Sequence, residues 1–176
     1  TQAVVDAPGG FRLYKGEGFE IFIPKTWTVV GFGDLDMERT LDELDNRQLE
    51  EAIAQAFESG GKLFAFDFGN STPTFANNVN IIRLDNPGLS TADLVDLAEK
   101  DIRRIGATNT EASARQLPGG DAVIVSYELP LELGGGEGLS YSVLTPANQW
   151  VVTYTASNMR PFKDNFELMM DSFRER

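Results

Sequence analysis

Three carboxylates at alternate positions, Asp34, Asp36 and Glu38, have the spacing that most suggests a cation site. Hard cations such as calcium prefer several oxygen ligands, and an acidic loop can supply them. A calcium-binding loop would also need a glycine at its sixth position and a distal glutamate in register, and the glycine is missing here. The segment is therefore a candidate calcium or manganese site, and ordinary acidic residues leading into a helix are the alternative.

The chain has neither histidine nor cysteine in its 176 residues. The usual general base near neutral pH and the commonest transition-metal ligand are therefore absent. A thiol nucleophile, a disulfide and a tetrahedral sulfur site for zinc are absent as well. These absences exclude a triad hydrolase, a zinc protease and most redox-metal enzymes.

Carboxylate pairs about 5 to 10 Å apart in a cleft could still support glycosidase chemistry without histidine. No acidic residue lies in an aromatic-lined motif that indicates sugar binding, and no serine has a nucleophile-elbow context. The glycine-rich segments 31–33 and 134–138 lack the ending and the following helix of a phosphate cradle, so 134–138 predicts a flexible hairpin connection. We expect no enzymatic activity and no organic cofactor, and a carboxylate-dependent hydrolase is an alternative.

Trp27 is the candidate for partner binding. It follows Pro24, which ends a predicted strand, and a tryptophan in such a turn can be half exposed. Exposed tryptophans are frequent hot spots of protein interfaces. Trp150, in contrast, alternates with Val152 and Tyr154 on one strand face, which indicates burial.

The charge balance limits the partners. There are 27 acidic and 15 basic residues, which gives a net charge of −12. This opposes binding to nucleic acid or to an anionic membrane face, and it favours a solvated surface, cationic partners or cations. No run of about 18 apolar residues is present, so we expect no transmembrane segment. The chain begins at Thr1, and we expect a processed form whose signal peptide or lipid-anchor cysteine would lie upstream.

The elements that would position these residues follow from periodicity. Phe19, Ile21 and Ile23 alternate after a glycine turn and predict an opening hairpin that Pro24 ends. Helices are predicted over 40–59, from a capping box of Thr40 and Glu43, then from Ser90, and from Pro161. The predicted buried positions are Leu94, Leu97, Ala98, Ile102 and Ile105 in the second helix, and Phe162, Phe166, Met169, Met170 and Phe173 in the third.

Strands are predicted over 62–68, 78–84, 107–117, 122–129, 139–145 and 149–156, with a polar loop over 69–77. Phe64, Phe66 and Phe68 share one side of the first of these, which indicates a face turned toward the core. We predict an α+β fold: a twisted, mostly antiparallel sheet sandwiched by helices, as a single domain over 11–176 after a flexible tether over 1–10.

Turn glycines and core aromatic residues recur at both ends of the chain: Tyr14, Gly16, Gly18, Phe19, Ile21, Ile23, Pro24 and Trp27 at the start, and Phe162, Phe166, Ser172 and Phe173 at the end. In these residues the chain resembles the opening and closing patterns of the PsbP-like superfamily. The resemblance implies a central antiparallel sheet sandwiched by helices. The acidic segment 40–59 departs from the plant photosystem protein as an insertion, and histidine metal ligands proposed in that superfamily cannot exist here.

That superfamily includes photosystem II extrinsic proteins, bacterial lipoproteins and fungal Ran-binding import factors. The resemblance implies a non-enzymatic, extracytoplasmic binding or assembly module with a protein partner, tethered to the outer face of a membrane as a bacterial lipoprotein. An intracellular adaptor resembling the Ran-binding factors is the alternative.

Overall fold

The computed structural model describes residues 7–31, 57–72 and 75–176. The strands are β1 (Phe11–Gly16), β2 (Phe19–Pro24), β3 (Thr28–Gly31), β4 (Gly61–Thr72), β5 (Phe75–Asp85), β6 (Thr108–Leu117), β7 (Gly120–Glu128), β8 (Glu137–Leu144), β9 (Asn148–Ala156) and β10 (Arg174–Glu175). The helices are α1 (Thr91–Arg104) and α2 (Lys163–Ser172), and a short 3₁₀ helix spans Leu131–Leu133. Most of the predicted helix over 40–59 lies outside the described residues, of which 57 and 58 are helical.

The strands form two sheets rather than one. A seven-stranded sheet has the order β3-β4-β5-β9-β8-β7-β6, and a three-stranded sheet has the order β1-β2-β10. All the paired strands are antiparallel, so the predicted α+β, mostly antiparallel fold is confirmed. The opening hairpin is confirmed too, but it belongs to the small sheet, where the end of the chain supplies the third strand.

The main core lies between one face of the large sheet and a cover made of the small sheet and α2. From the hairpin, Phe19, Ile21 and Ile23 enter this core with no exposed surface. From α2, Phe166 stacks on Tyr154 of β9 with ring centroids 4.3 Å apart. The predicted apolar stripe of the last helix is therefore confirmed, with Phe162 only partly buried at its rim.

On the opposite face, α1 packs on β6 and β7. Ser90 caps this helix by accepting a hydrogen bond from the Asp93 amide, as its sequence predicts. Leu94 is buried, but Leu97 and Ile105 are 38% and 48% exposed, so the predicted burial of these two residues is wrong. The reason is that α1 overlies only the two strands at one end of the sheet, and part of its apolar stripe has no strand beneath it.

The phenylalanine side of β4 faces a second apolar cluster, with Val30 and Phe57, so the predicted core-facing side is confirmed for this cluster and not for the main core. Leu63 and Ala65 face the main core with no exposed surface. Phe64, Phe66 and Phe68 point to the other face, where Phe66 is buried and Phe68 is 44% exposed. Both faces of this strand are apolar, so alternation alone could not tell which of them meets the main core.

The predicted polar loop over 69–77 is also wrong, because β4 runs to Thr72 and β5 begins at Phe75. Polar side chains consolidate this hairpin. Asn70 donates from Nδ2 to Asp67 Oδ2 over 2.8 Å, and Asn77 donates to the Asn70 carbonyl over 3.0 Å. Asn77 Oδ1 in turn accepts from the amide of Ser157, just after β9.

In the described part of the chain, helices cover only part of the face of the large sheet on which α1 packs. Between α1 and the phenylalanines of β4, the middle strands carry amide and hydroxyl side chains. Asn78 on β5 donates to Thr155 on β9 over 2.7 Å, and Ser140 on β8 lies 3.2 Å from the hydroxyl of Thr153. Such a polar stripe does not need an apolar cover.

The C-terminal strand joins the two sheets through a buried tryptophan. Trp150 Nε1 donates to Glu175 Oε1 over 2.9 Å, and Asn148 Nδ2 donates to the same oxygen. Desolvation acts to raise the pKa of Glu175, but the hydrogen bonds from Trp150, Thr145 and Asn148 and the charge of Arg83 outweigh it and hold this pKa below its usual value.

We therefore predict that Glu175→Gln removes a pH-dependent part of the stability. Because the folded-state pKa is lowered, the stabilisation is present above the unfolded-state value and is lost as the pH falls through the folded-state value. The melting temperature of the wild type should exceed that of the variant at about pH 7, and the difference should shrink as the pH falls below the unfolded-state pKa of Glu175 and through its lowered folded-state pKa. Thermal unfolding followed by circular dichroism measures this, and a difference that stays constant with pH would contradict it.

A glycine lies beneath an aromatic ring at one cross-strand pair. Gly138 on β8 pairs with Tyr127 on β7, and a Cβ built on Gly138 would lie 2.1 Å from Tyr127 Cζ. Tyr127 cannot move away easily, because it is 5% exposed and packs beneath α1. We expect Gly138→Ala to lower the free energy of unfolding by about 2 kcal/mol through this overlap.

Urea denaturation of Gly138→Ala measures the loss, with Gly9→Ala as the matched control. No atom lies within 4 Å of a Cβ built on Gly9, so the control should change the free energy of unfolding by less than about 0.5 kcal/mol. Equal stability of the two variants would show that the ring does not constrain position 138.

Candidate functional site

The sequence-predicted metal ligands Asp34, Asp36 and Glu38 lie outside the described residues. Within residues 7–31, 57–72 and 75–176, no group of three or more aspartates and glutamates is arranged to hold a metal ion. The candidate calcium or manganese site stays a prediction.

Trp27 is a core residue. Its indole is 6% exposed and meets Phe166 of α2 edge-on, with ring centroids 6.1 Å apart. The chain reverses after β2 through a hydrogen bond from the Trp27 amide to the Pro24 carbonyl, and this turn directs the indole beneath the small sheet. The expectation that Trp27 is half exposed is wrong, because α2, far away in the sequence, covers it.

The titratable groups with a clear pKa shift are all moved away from neutral pH. Desolvation raises the pKa of Tyr127 and of Tyr141 to about 12, and raises that of the fully buried Tyr154 as well. A hydrogen bond of 2.8 Å from Lys62 lowers the pKa of Glu17. None of these groups is suited to exchange a proton near neutral pH, where general acid–base catalysis works best.

The most exposed large apolar side chain in the described part of the chain is Leu131, at 88% exposure. It lies in the connection between β7 and β8, on the 3₁₀ helix. Backbone hydrogen bonds of 2.9 to 3.1 Å close this connection: Leu129 to Gly136, Gly134 to Leu131, and Gly135 to Pro130. Leu131 is therefore held out toward solvent by a compact, internally hydrogen-bonded loop.

The predicted hairpin connection over 134–138 ends earlier than predicted, because Glu137 and Gly138 belong to β8. Gly134, Gly135 and Gly136 all have positive φ angles, which the tight turn requires. A Cβ built on Gly136 would lie 2.7 Å from the carbonyl oxygen of Ala156, so the backbone is packed against the end of β9. The glycines permit this close approach of two backbones.

The C-terminal end of α1 adjoins the same loop. A Cβ built on Gly106 would be 3.6 Å from Pro130 Cγ, and the neighbouring Ile105 is 48% exposed. The contact between Gly106 and Pro130 brings the exposed residues Ile105 and Leu131 to the same corner of the fold, and the group Ile105, Pro130 and Leu131 is here named the Leu131 corner. Sequence reasoning missed it, because Ile105 fits the apolar stripe of a helix and Leu131 lies in an apolar run.

The Leu131 corner has the properties of a protein-docking site. Its central side chain is apolar and nearly fully exposed, and its backbone is already ordered by hydrogen bonds. Ordering before binding lowers the entropic cost of association, and an apolar anchor that enters a partner's pocket is a usual source of binding energy.

Comparison with known proteins supports the architecture. No protein-family model matches the sequence, and no curated protein matches it. Among solved structures, the solution structure of cyanobacterial PsbP from Synechocystis sp. PCC 6803 is similar with a TM-score of 0.60 and 12% identity, over 100% of this chain and 98% of that one. The crystal structure of LpqN, involved in cell envelope biogenesis of Mycobacterium tuberculosis, is similar with a TM-score of 0.56 and 10% identity, over 89% of this chain and 82% of that one.

Both similarities extend over most of the two chains compared, so they concern the whole architecture rather than one motif. At 10% and 12% identity they establish the fold alone. The resemblance of the opening and closing segments to the PsbP-like superfamily is confirmed at that level: the chain has a PsbP-like fold.

Proposed function

We propose that the protein is a non-enzymatic, extracytoplasmic binding or assembly module that engages a protein partner through the Leu131 corner. The exposure of Leu131 on an ordered loop carries the proposal. The absence of histidine and cysteine from the sequence supports binding over catalysis, since the usual general base and the thiol nucleophile are missing.

The size of the leucine side chain sets the scale of the interaction. Full burial of a leucine contributes about 1.5–3 kcal/mol, and at 88% exposure nearly all of this remains to be gained on binding. A partner with an apolar pocket would gain this energy with little loss of loop entropy, because the backbone bonds already fix the 3₁₀ helix.

The proposed location draws on the structural neighbours. LpqN is described as involved in cell envelope biogenesis, and cyanobacterial PsbP shares the fold. We extend the extracytoplasmic location to this chain, with a lipid anchor upstream of Thr1 as the tether. In the described part of the chain, neither helix has the length and apolar character needed to cross a membrane. An intracellular adaptor and a carboxylate-dependent hydrolase remain the alternatives.

The docking proposal predicts position-specific crosslinking. A photoreactive amino acid in place of Leu131 should give a discrete protein adduct in cells of the source organism, because this side chain would lie in the partner's pocket. The same group in place of Leu84, which is 43% exposed on β5, is the matched control and should give no adduct.

The variant Leu131→Ser should compete about tenfold less well than the wild-type chain for formation of that adduct, from the loss of one buried leucine. Its thermal stability should be unchanged, because the leucine is exposed in the free protein. Equal adducts at positions 84 and 131, or no adduct at 131, would contradict docking at the Leu131 corner.

The proposed location predicts accessibility from outside the cytoplasmic membrane. Proteinase K added to spheroplasts should degrade the protein while a cytoplasmic marker protein stays intact. The mass of the mature chain should exceed the polypeptide mass by that of a lipid. Protection from the protease until the membrane is lysed would favour the intracellular adaptor.

A further inference from the structure

β6 is an edge strand with a long regular stretch. It ends the order of the large sheet and pairs with β7 alone, over the register from Glu111–Ser126 to Leu117–Gly120. In residues 7–31, 57–72 and 75–176, nothing pairs with its outer side. An unpaired row of backbone N–H and C=O groups is a template for another strand.

The turn fixes which backbone groups point outward. Leu117 and Gly120 flank the two-residue turn between β6 and β7 and are paired, so they exchange both backbone hydrogen bonds with one another. Hydrogen-bonding direction alternates along a strand, so Ser113 and Arg115 also bond inward to β7. The N–H and C=O groups of Ala112, Ala114 and Gln116 therefore point away from the sheet.

The side chains of this stretch lack the usual protection of an edge. Segment 111–117 contains neither lysine nor proline, the residues that commonly block edge pairing. The bulge that interrupts β6 lies before it, between Thr108 and Glu111. The two charged residues of segment 111–117, Glu111 and Arg115, are exposed and lie on the same face of the sheet, four positions apart.

This pattern is complementary to itself. When an antiparallel copy is centred on Ser113, Ala112 lies opposite Ala114 of the second copy, and these outward groups form about four backbone hydrogen bonds. In the same register Glu111 lies opposite Arg115 of the second copy, and this pair occurs twice because the contact has a two-fold axis. Both Glu111–Arg115 pairs occupy non-hydrogen-bonded sites, where facing side chains are closest.

Neighbouring registers lose this complementarity. Centring the pair on Ala112 places Glu111 opposite Ser113, and centring it on Ala114 places Glu111 opposite Leu117. Both of these registers pair the outward N–H and C=O groups, but neither places Glu111 opposite Arg115. Within one copy, Arg115 lies 3.9 Å from the nearest oxygens of both Glu167 and Asp171, longer than a hydrogen bond, so its guanidinium can still donate to a second copy.

We propose that a second copy of this chain docks on the outer edge of β6, centred on Ser113, so that the large sheet continues across both copies. The backbone groups supply the pairing, and the two Glu111–Arg115 contacts set its register. This interface is small, so the dimer forms at high protein concentration. The Leu131 corner takes no part in it, and the inference is independent of the proposed function.

Sedimentation velocity of the full chain at up to about 1 mM tests the proposal, because a small interface of this kind dissociates at lower concentrations. The wild type should reach twice the chain mass of 19.4 kDa. Glu111→Arg and Arg115→Glu should each weaken the dimer about tenfold or more, since each places like charges opposite one another twice. Arg104→Glu, at an exposed position on α1, is the matched control and should dimerise like the wild type.

Mixing the two single variants should restore dimer formation, because one carries two arginines at the edge and the other carries two glutamates. Ala114→Pro provides a test if Arg115→Glu does not fold. It removes an outward N–H that β7 does not use, and it should abolish the dimer while the chain stays folded. A wild type that stays monomeric, a dimer unaffected by these changes, or a mixture that does not associate would overturn the proposal.

Discussion

The fold depends on covering one face of the large sheet, which presents Tyr141, Trp150 and Tyr154. These aromatic side chains cannot remain in water, and the two ends of the described chain supply their cover. Phe19 of the opening hairpin and Phe173 after α2 meet the ring of Trp150 at 5.4 and 5.8 Å. The small sheet exists because β10 pairs with β2 at this point, and the Arg176 amide also donates to the Gly18 carbonyl.

Polar contacts set the geometry of this apolar cover. Ser172 at the end of α2 accepts a hydrogen bond of 2.8 Å from the Phe22 amide and so fixes the helix against the hairpin. Glu175 receives the only polar hydrogen of the Trp150 indole. A buried indole N–H without an acceptor would be destabilising, so this carboxylate makes the burial of the tryptophan possible.

The surfaces available for binding are peripheral to the core. The Leu131 corner and the outer edge of β6 both lie at the end of the large sheet on which α1 packs. The core can therefore stay unchanged while these surfaces make contacts, which is in keeping with the binding role proposed above. The likeness to cyanobacterial PsbP and to LpqN, at 12% and 10% identity, is one of fold alone.

Much of the architecture could be predicted from local patterns. Alternation identified the hairpin and most strands, Ser90 identified the start of α1, and the absence of histidine and cysteine excluded whole enzyme classes. These features depend on residues close together in the sequence, where periodicity and capping act. The resemblance to the PsbP-like superfamily also came from such local glycine and aromatic positions.

Only the tertiary structure determined the candidate site and which face of several elements is buried. Trp27 is buried because α2 covers it, Leu97 and Ile105 are exposed because α1 overlies only β6 and β7, and β4 turns its phenylalanines away from the main core. In β4 both faces are apolar enough to be buried, whereas the burial of Trp27 and of the apolar stripe of α1 depends on which distant element covers them. A local pattern gives the period of an element, whereas the partner that covers each face is determined by contacts between residues far apart in the sequence.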